Sequence, residues 1–115
     1  MRVSAYIARC ESYNLAILDG ELDVASTEQL QQQLVGLIDT GEAPLIIDLC
    51  SVTFCDSWGL STILAAWQRA KDRNVAFAVV GPRPRVQLIM EITGTDQYLP
   101  IYSDLPDAVA DLTAA

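Results

Sequence analysis

The sequence has no histidine, a single lysine, Lys71, and only three cysteines in 115 residues. Each shortage closes a class of chemistry. Without histidine there is no serine-histidine hydrolytic pair, and no G-x-S-x-G elbow surrounds the one serine, Ser57, that is otherwise placed for reaction. Lys71 falls on the polar side of a predicted helix, too far along it to activate Ser57. Cys10, Cys50 and Cys55 are odd in number, lack CxxC spacing and lack the histidine that usually completes a zinc set, so neither metal nor cofactor is expected. They read as small buried hydrophobes in a reducing compartment. Neither GxxxxGK[ST] nor GxGxxG occurs, which removes the usual nucleotide cradles.

Basic residues are also scarce, 7 against 15 acidic ones, for a net charge of -8. That balance opposes direct binding to nucleic acid or to an anionic membrane. No apolar stretch approaches the roughly 18 residues of a membrane span, and Met1-Arg2-Val3-Ser4-Ala5 lacks a charged-then-apolar leader, so a soluble, cytoplasmic protein is expected. With 51% hydrophobic residues, residues 1–115 are read as one domain able to bury its own core.

The apolar pattern predicts the elements. Val3 to Cys10 and Leu15 to Leu18 read as strands joined by a polar turn, with Gly20 ending the second. Ser26-Thr27-Glu28-Gln29 has the capping-box form, and Leu30, Leu34, Leu37 and Ile38 share a helical face, so a helix should run from about Thr27 to Asp39. Leu45 to Cys50, apolar on both faces apart from Asp48, reads as a central strand covered by helices. After a turn, Leu60, Ile63, Leu64 and Trp67 mark a second helix reaching about Asn74.

Val75 to Val80 is a further buried strand. A short helix follows in which Val86, Ile89, Met90 and Thr93 share a face, with Gly94 as its C-cap candidate. Leu99 to Tyr102 supplies a last strand, and Asp104 with Pro106 opens a final helix burying Ala108, Val109 and Leu112. The order β-β-α-β-α-β-α-β-α predicts an α/β fold. Its mixed sheet of four to five strands is flanked by about four helices, and strand-helix-strand units force parallel neighbours while the opening pair can be antiparallel.

Asp56-Ser57-Trp58-Gly59-Leu60 lies where the central strand hands over to the second helix. A serine there has its hydroxyl beside unpaired N–H groups and the positive end of the helix dipole, an environment that welcomes phosphate. Ser57 is therefore read as a phosphorylation-controlled residue, the plainer alternative being an unmodified N-cap. Asp56 is read as the N-cap itself, as a group orienting the serine hydroxyl, or as both. Gly59 is expected to permit close approach of the helix start to a neighbouring element. Leu60 is expected in the core.

A receiver domain, also a small α/β unit that accepts phosphate, fits poorly: its acidic pair after the first strand is absent, and no lysine follows Lys71. The chain instead resembles the STAS domain family, and within it the stand-alone bacterial anti-sigma factor antagonists. The resemblance rests on Gly20-Glu21-Leu22-Asp23, on the Asp-Leu strand with Val52-Thr53-Phe54 after it, on Asp56-Ser57-Trp58-Gly59-Leu60, and on Glu91-Ile92-Thr93-Gly94. It implies a non-enzymatic module that binds an anti-sigma factor with serine kinase activity and so frees a sigma factor. It implies further that the kinase phosphorylates Ser57 to end binding and that a serine phosphatase restores it.

The resemblance also implies that the loop carrying Asp23, whose plainer role is helix entry, lies beside Ser57 on a partner surface with Asp56, Trp58 and Gly59. Trp58 departs from the small residue the family more often has there. It is either a binding anchor or a ring folded back on the core. The alternative function is a constitutive scaffold or small-ligand-binding STAS module that phosphorylation does not regulate.

Overall fold

A computed structural model describes residues 3–24 and 27–114. In chain order the elements are β1 (Ser4–Arg9), β2 (Asn14–Leu22), α1 (Thr27–Thr40), β3 (Leu45–Cys55), α2 (Ser57–Asp72), β4 (Phe77–Val80), α3 (Pro84–Ile92), a 3₁₀ turn (Thr95–Gln97), β5 (Ile101–Tyr102) and α4 (Leu105–Leu112). The five strands form one sheet in the order β1-β2-β3-β4-β5. Only β1 and β2 are antiparallel; each later strand joins its neighbour in parallel, as the intervening helices require. Ser26 of the predicted capping box lies outside the described residues.

Both strands leading to the α2 start are longer than the residue pattern predicts. Gly20 does not end β2. It adopts φ 114°, a conformation costly for any other residue, and the strand runs on to Leu22. Nor is there a turn after Cys50: β3 continues through Val52, Thr53 and Phe54 to Cys55. Pairing passes from Ile17↔Asp48 to Asp19↔Ser51 and from Gly20↔Val52 to Glu21↔Phe54, so β3 carries one extra residue at each step. These bulges interrupt the two-residue alternation by which a strand is recognised.

The first bulge explains the one acid in the central strand. The Cys50 N–H donates to Asp48 Oδ1 at 2.8 Å, and the Cys50 carbonyl accepts from Arg83 Nε at 2.7 Å. Both backbone groups at the irregularity are thereby satisfied by side chains.

Smaller differences have similarly local causes. Val75 donates its N–H to the Ala70 carbonyl, closing α2, and β4 begins only at Phe77. Leu99 donates to Thr95 in the 3₁₀ turn, which leaves Ile101 and Tyr102 as the last strand. Thr93 is exposed and caps α3, its hydroxyl donating to the Ile89 carbonyl, with Gly94 just beyond. Of the cysteines only Cys55 is buried. Cys10 lies past the end of edge strand β1 and Cys50 in the bulge, so neither is the core residue predicted.

Two cores sandwich the sheet. One joins Leu18, Leu22, Ile47, Leu49 and Val52 to Leu30, Leu34, Leu37 and Ile38 of α1, Leu60 and Ile63 of α2, and Val86 and Met90 of α3. The other places Ala108 of α4 over Leu15, Ile46 and Val80. At the rim, Arg69 of α2 forks onto Asp39 of α1 with bonds of 2.8 and 3.0 Å, which holds the Asp39 carboxyl below the usual carboxylate range. A carboxylate with a lowered folded pKa lends stability above its ordinary value, about pH 4, and that stability is lost as pH falls through the folded value. Urea denaturation of wild type and Arg69→Ala across a pH series, followed by circular dichroism, should therefore show stabilities that differ at neutral pH and converge below about pH 4.

Candidate functional site

The ends of β2 and β3 lie side by side, with Leu22 registered against Cys55. The Asp56 N–H continues this pairing by donating to the Leu22 carbonyl at 3.1 Å. Asp56 then turns the chain into α2 from an extended conformation, φ -98° and ψ -175°, and its Oδ1 accepts from the Gly59 N–H at 2.8 Å. The Asp56 carbonyl accepts from Leu60. Asp56 is thus the N-cap, a role worth about 1 kcal/mol.

Ser57 is therefore the first helical residue, not the cap, and it is exposed. Its carbonyl accepts from the Ser61 hydroxyl at 2.8 Å, and that of Trp58 from Thr62 Oγ1 at 3.3 Å. The cap that would have occupied the serine is supplied by its neighbour. The Ser57 side chain stands at the positive end of a sixteen-residue helix.

Gly59 makes the junction possible. A Cβ at this position would collide with the Leu22 carbonyl oxygen and lie 2.6 Å from Leu22 Cβ and 2.7 Å from its carbonyl carbon. Only a residue without a side chain lets the first turn of α2 lie on the end of β2. Asp23 is the residue that follows Leu22 in the chain.

The surface around the serine is apolar and acidic together. Trp58 is 61% exposed and does not fold back on the core. Val24, directly after Asp23, is equally exposed, and Phe54, registered against Glu21, is partly so. Val24 is not singled out by the sequence pattern and Phe54 only as part of the Val52-Thr53-Phe54 motif, although an apolar residue in a turn, outside any periodic run, is a signal for Val24. The segments 20–24 and 53–61 carry Glu21, Asp23 and Asp56 but no lysine or arginine. Cys55, next to Asp56, is chemically quiet: burial first, then the Asp56 carboxylate, pushes its thiol up to about 12.

The STAS domain model matches residues 15–108, which take in β2 from Leu15 onward and the α2 start with its serine. The chain belongs to the STAS domain family. The anti-sigma-F factor antagonist RsfB of Mycobacterium tuberculosis is 29% identical over 92 residues, 80% of this chain and 75% of that one. The crystal structure of an anti-sigma factor antagonist from Mycobacterium paratuberculosis superposes with a TM-score of 0.86 at 25% identity, covering 96% of this chain and 93% of the other. The Bacillus cell fate determinant SpoIIAA in its phosphorylated form shares the fold, with a TM-score of 0.72 at 17% identity over 94% and 98% of the two chains. In this STAS domain the matched region contains Asp23, Asp56, Ser57, Trp58 and Gly59. Among the described residues no helix is long and apolar enough to cross a membrane.

Proposed function

We propose that this STAS domain is an anti-sigma factor antagonist with no catalysis of its own. Unmodified, it docks the face carrying Asp23, Asp56, Trp58 and Gly59 on an anti-sigma factor that is also a serine kinase, and so frees a sigma factor. The kinase transfers the γ-phosphoryl group of ATP to Ser57 Oγ, the serine proton passing to a base on the kinase, and binding ends. A serine phosphatase hydrolyses the ester and restores binding. The observation that carries this reading is the exposure of Ser57 at the first position of α2 while Asp56 holds the cap. The names of the relatives and the phosphorylated form of SpoIIAA support it.

The physics of the switch is local. Phosphate adds about -1.5 to -2 charges, which the helix start tolerates at a gain of about 0.3–1 kcal/mol. The fold need not change. The neighbouring segments offer no cation to neutralise the group, so a partner that dehydrates Ser57 on docking would have to bury unpaired charge. Incubation with a kinase-type anti-sigma factor and ATP, followed by mass spectrometry, should place one phosphate on Ser57. Modification at another residue, or none, sinks the reading.

A further inference from the structure

We propose that β1 is the seam of a homodimer, in which two copies pair antiparallel through Ser4–Arg9 and join their sheets into one of ten strands. β1 is the open edge of the sheet. It has few of the devices that usually protect an edge: no proline, no lysine and no bulge, with Arg9 at its end as the one charge. Tyr6 is 68% and Ile7 37% exposed.

The register follows from the hydrogen bonds on the inner side. The Cys10 N–H donates to the Tyr13 carbonyl, in line with the pairing Ser4↔Asp19 to Arg9↔Asn14. Because bonding alternates along an antiparallel strand, the even residues bond inward to β2, and Ala5, Ile7 and Arg9 turn their N–H and carbonyl groups to the open edge. Within Ser4–Arg9, the symmetric register that uses all three sets Ile7 against Ile7 of the second copy and Ala5 against Arg9. The same register sets Tyr6 against Ala8 on the other face. Away from the Ile7 pair on the axis, bulky side chains then oppose small ones, and no like charges meet directly.

Charge argues for a second copy as the occupant. In a chain of net charge -8, the groove between β1 and α1 contains no acid. Ile7, Leu37, Gln33, Gly36 and Thr40 line it, with Arg9 as its one charge and a volume of about 670 Å³. α1 returns antiparallel to β2 and so runs parallel to β1. Ile7 lines the groove together with Gln33, Gly36 and Leu37, so Ala5, about 7 Å back along the strand, falls near the second turn of α1. Arg9 of the second copy, opposite Ala5, therefore comes within a side chain's reach of Glu28, one turn further on. Both residues are exposed and have no ion-pair partner among the described residues. At 0.15 M salt, repulsion between the two acidic bodies is screened beyond about 8 Å, whereas this contact is shorter.

Sedimentation of the full chain at 0.15 M salt, over a concentration series, tests the seam. Wild type should move from 12.5 kDa toward twice that mass. Ile7→Lys, which puts two ammonium groups across the axis, should stay monomeric with an unchanged circular dichroism spectrum. Arg9→Glu and Glu28→Arg should each weaken dimerisation about tenfold, and the double variant should restore it. A wild type that stays at 12.5 kDa throughout, an Ile7→Lys variant that dimerises as well as wild type, or a double variant no better than either single one overturns the proposal.

Discussion

Gly59→Ala is expected to cost the fold about 3 kcal/mol, lowering the melting midpoint by roughly 10–15 °C in a domain of this size. Helix propensity alone gives the opposite sign, since alanine is favoured over glycine by about 1 kcal/mol inside a helix. The steric term wins because the atoms a new Cβ would meet are the backbone oxygen and carbon of Leu22, which cannot swing aside as a long side chain would. They can recede only if the first turn of α2 lifts from β2. That movement would stretch the 3.1 Å bond from Asp56 to Leu22 and displace the Asp56 cap with it. The variant should therefore lose stability and partner affinity together, by thermal denaturation and by titration against the anti-sigma factor. An alanine variant as stable as wild type would show that the close approach is not needed.

The residues around this junction also show where a sequence is readable. The predicted faces of α1 and α2 place Leu30, Leu34, Leu37, Ile38, Leu60 and Ile63 in the core, where they are buried, because helical periodicity survives over three or more turns. The run Leu45 to Cys50 of β3 is legible for a different reason, being apolar on both faces apart from Asp48 as a strand covered by helices is. Beyond it each bulge shifts the alternation by one residue, and Ser51 to Phe54 resemble a turn until β2 is seen to pair with them. Gly20 is ambiguous in the same way. A glycine that ends a strand and a glycine that continues one through a positive φ look alike in one dimension.

At the candidate site, the motif points to Ser57 but leaves open the division of labour between Asp56 and Ser57. Either side chain can cap a helix. Only the bond from the Gly59 N–H to Asp56 Oδ1 assigns the cap. The direction of Trp58 was open too, because nothing local fixes whether a ring in the first turn packs inward or stands in solvent.

That exposed ring and its neighbour make the second large prediction. Trp58→Ala should weaken binding to the anti-sigma factor by about 2–3 kcal/mol, roughly 30- to 150-fold, as truncating an aromatic anchor at the centre of an interface does. It should leave stability nearly unchanged, since the 61% exposed side chain contributes little to the core. Ser57→Asp should weaken binding about a hundredfold, because a carboxylate dehydrated at the interface finds no cation in the segments around it. Ser57→Ala should bind within about threefold of wild type, since it removes a hydroxyl but adds no charge. Calorimetric titration of the three variants separates two kinds of module. Loss for Trp58→Ala and Ser57→Asp but not for Ser57→Ala marks a phosphate-controlled surface anchored by the indole. Loss for Trp58→Ala alone, with the two Ser57 variants equal, would mean a constitutive scaffold in which the serine carries no signal.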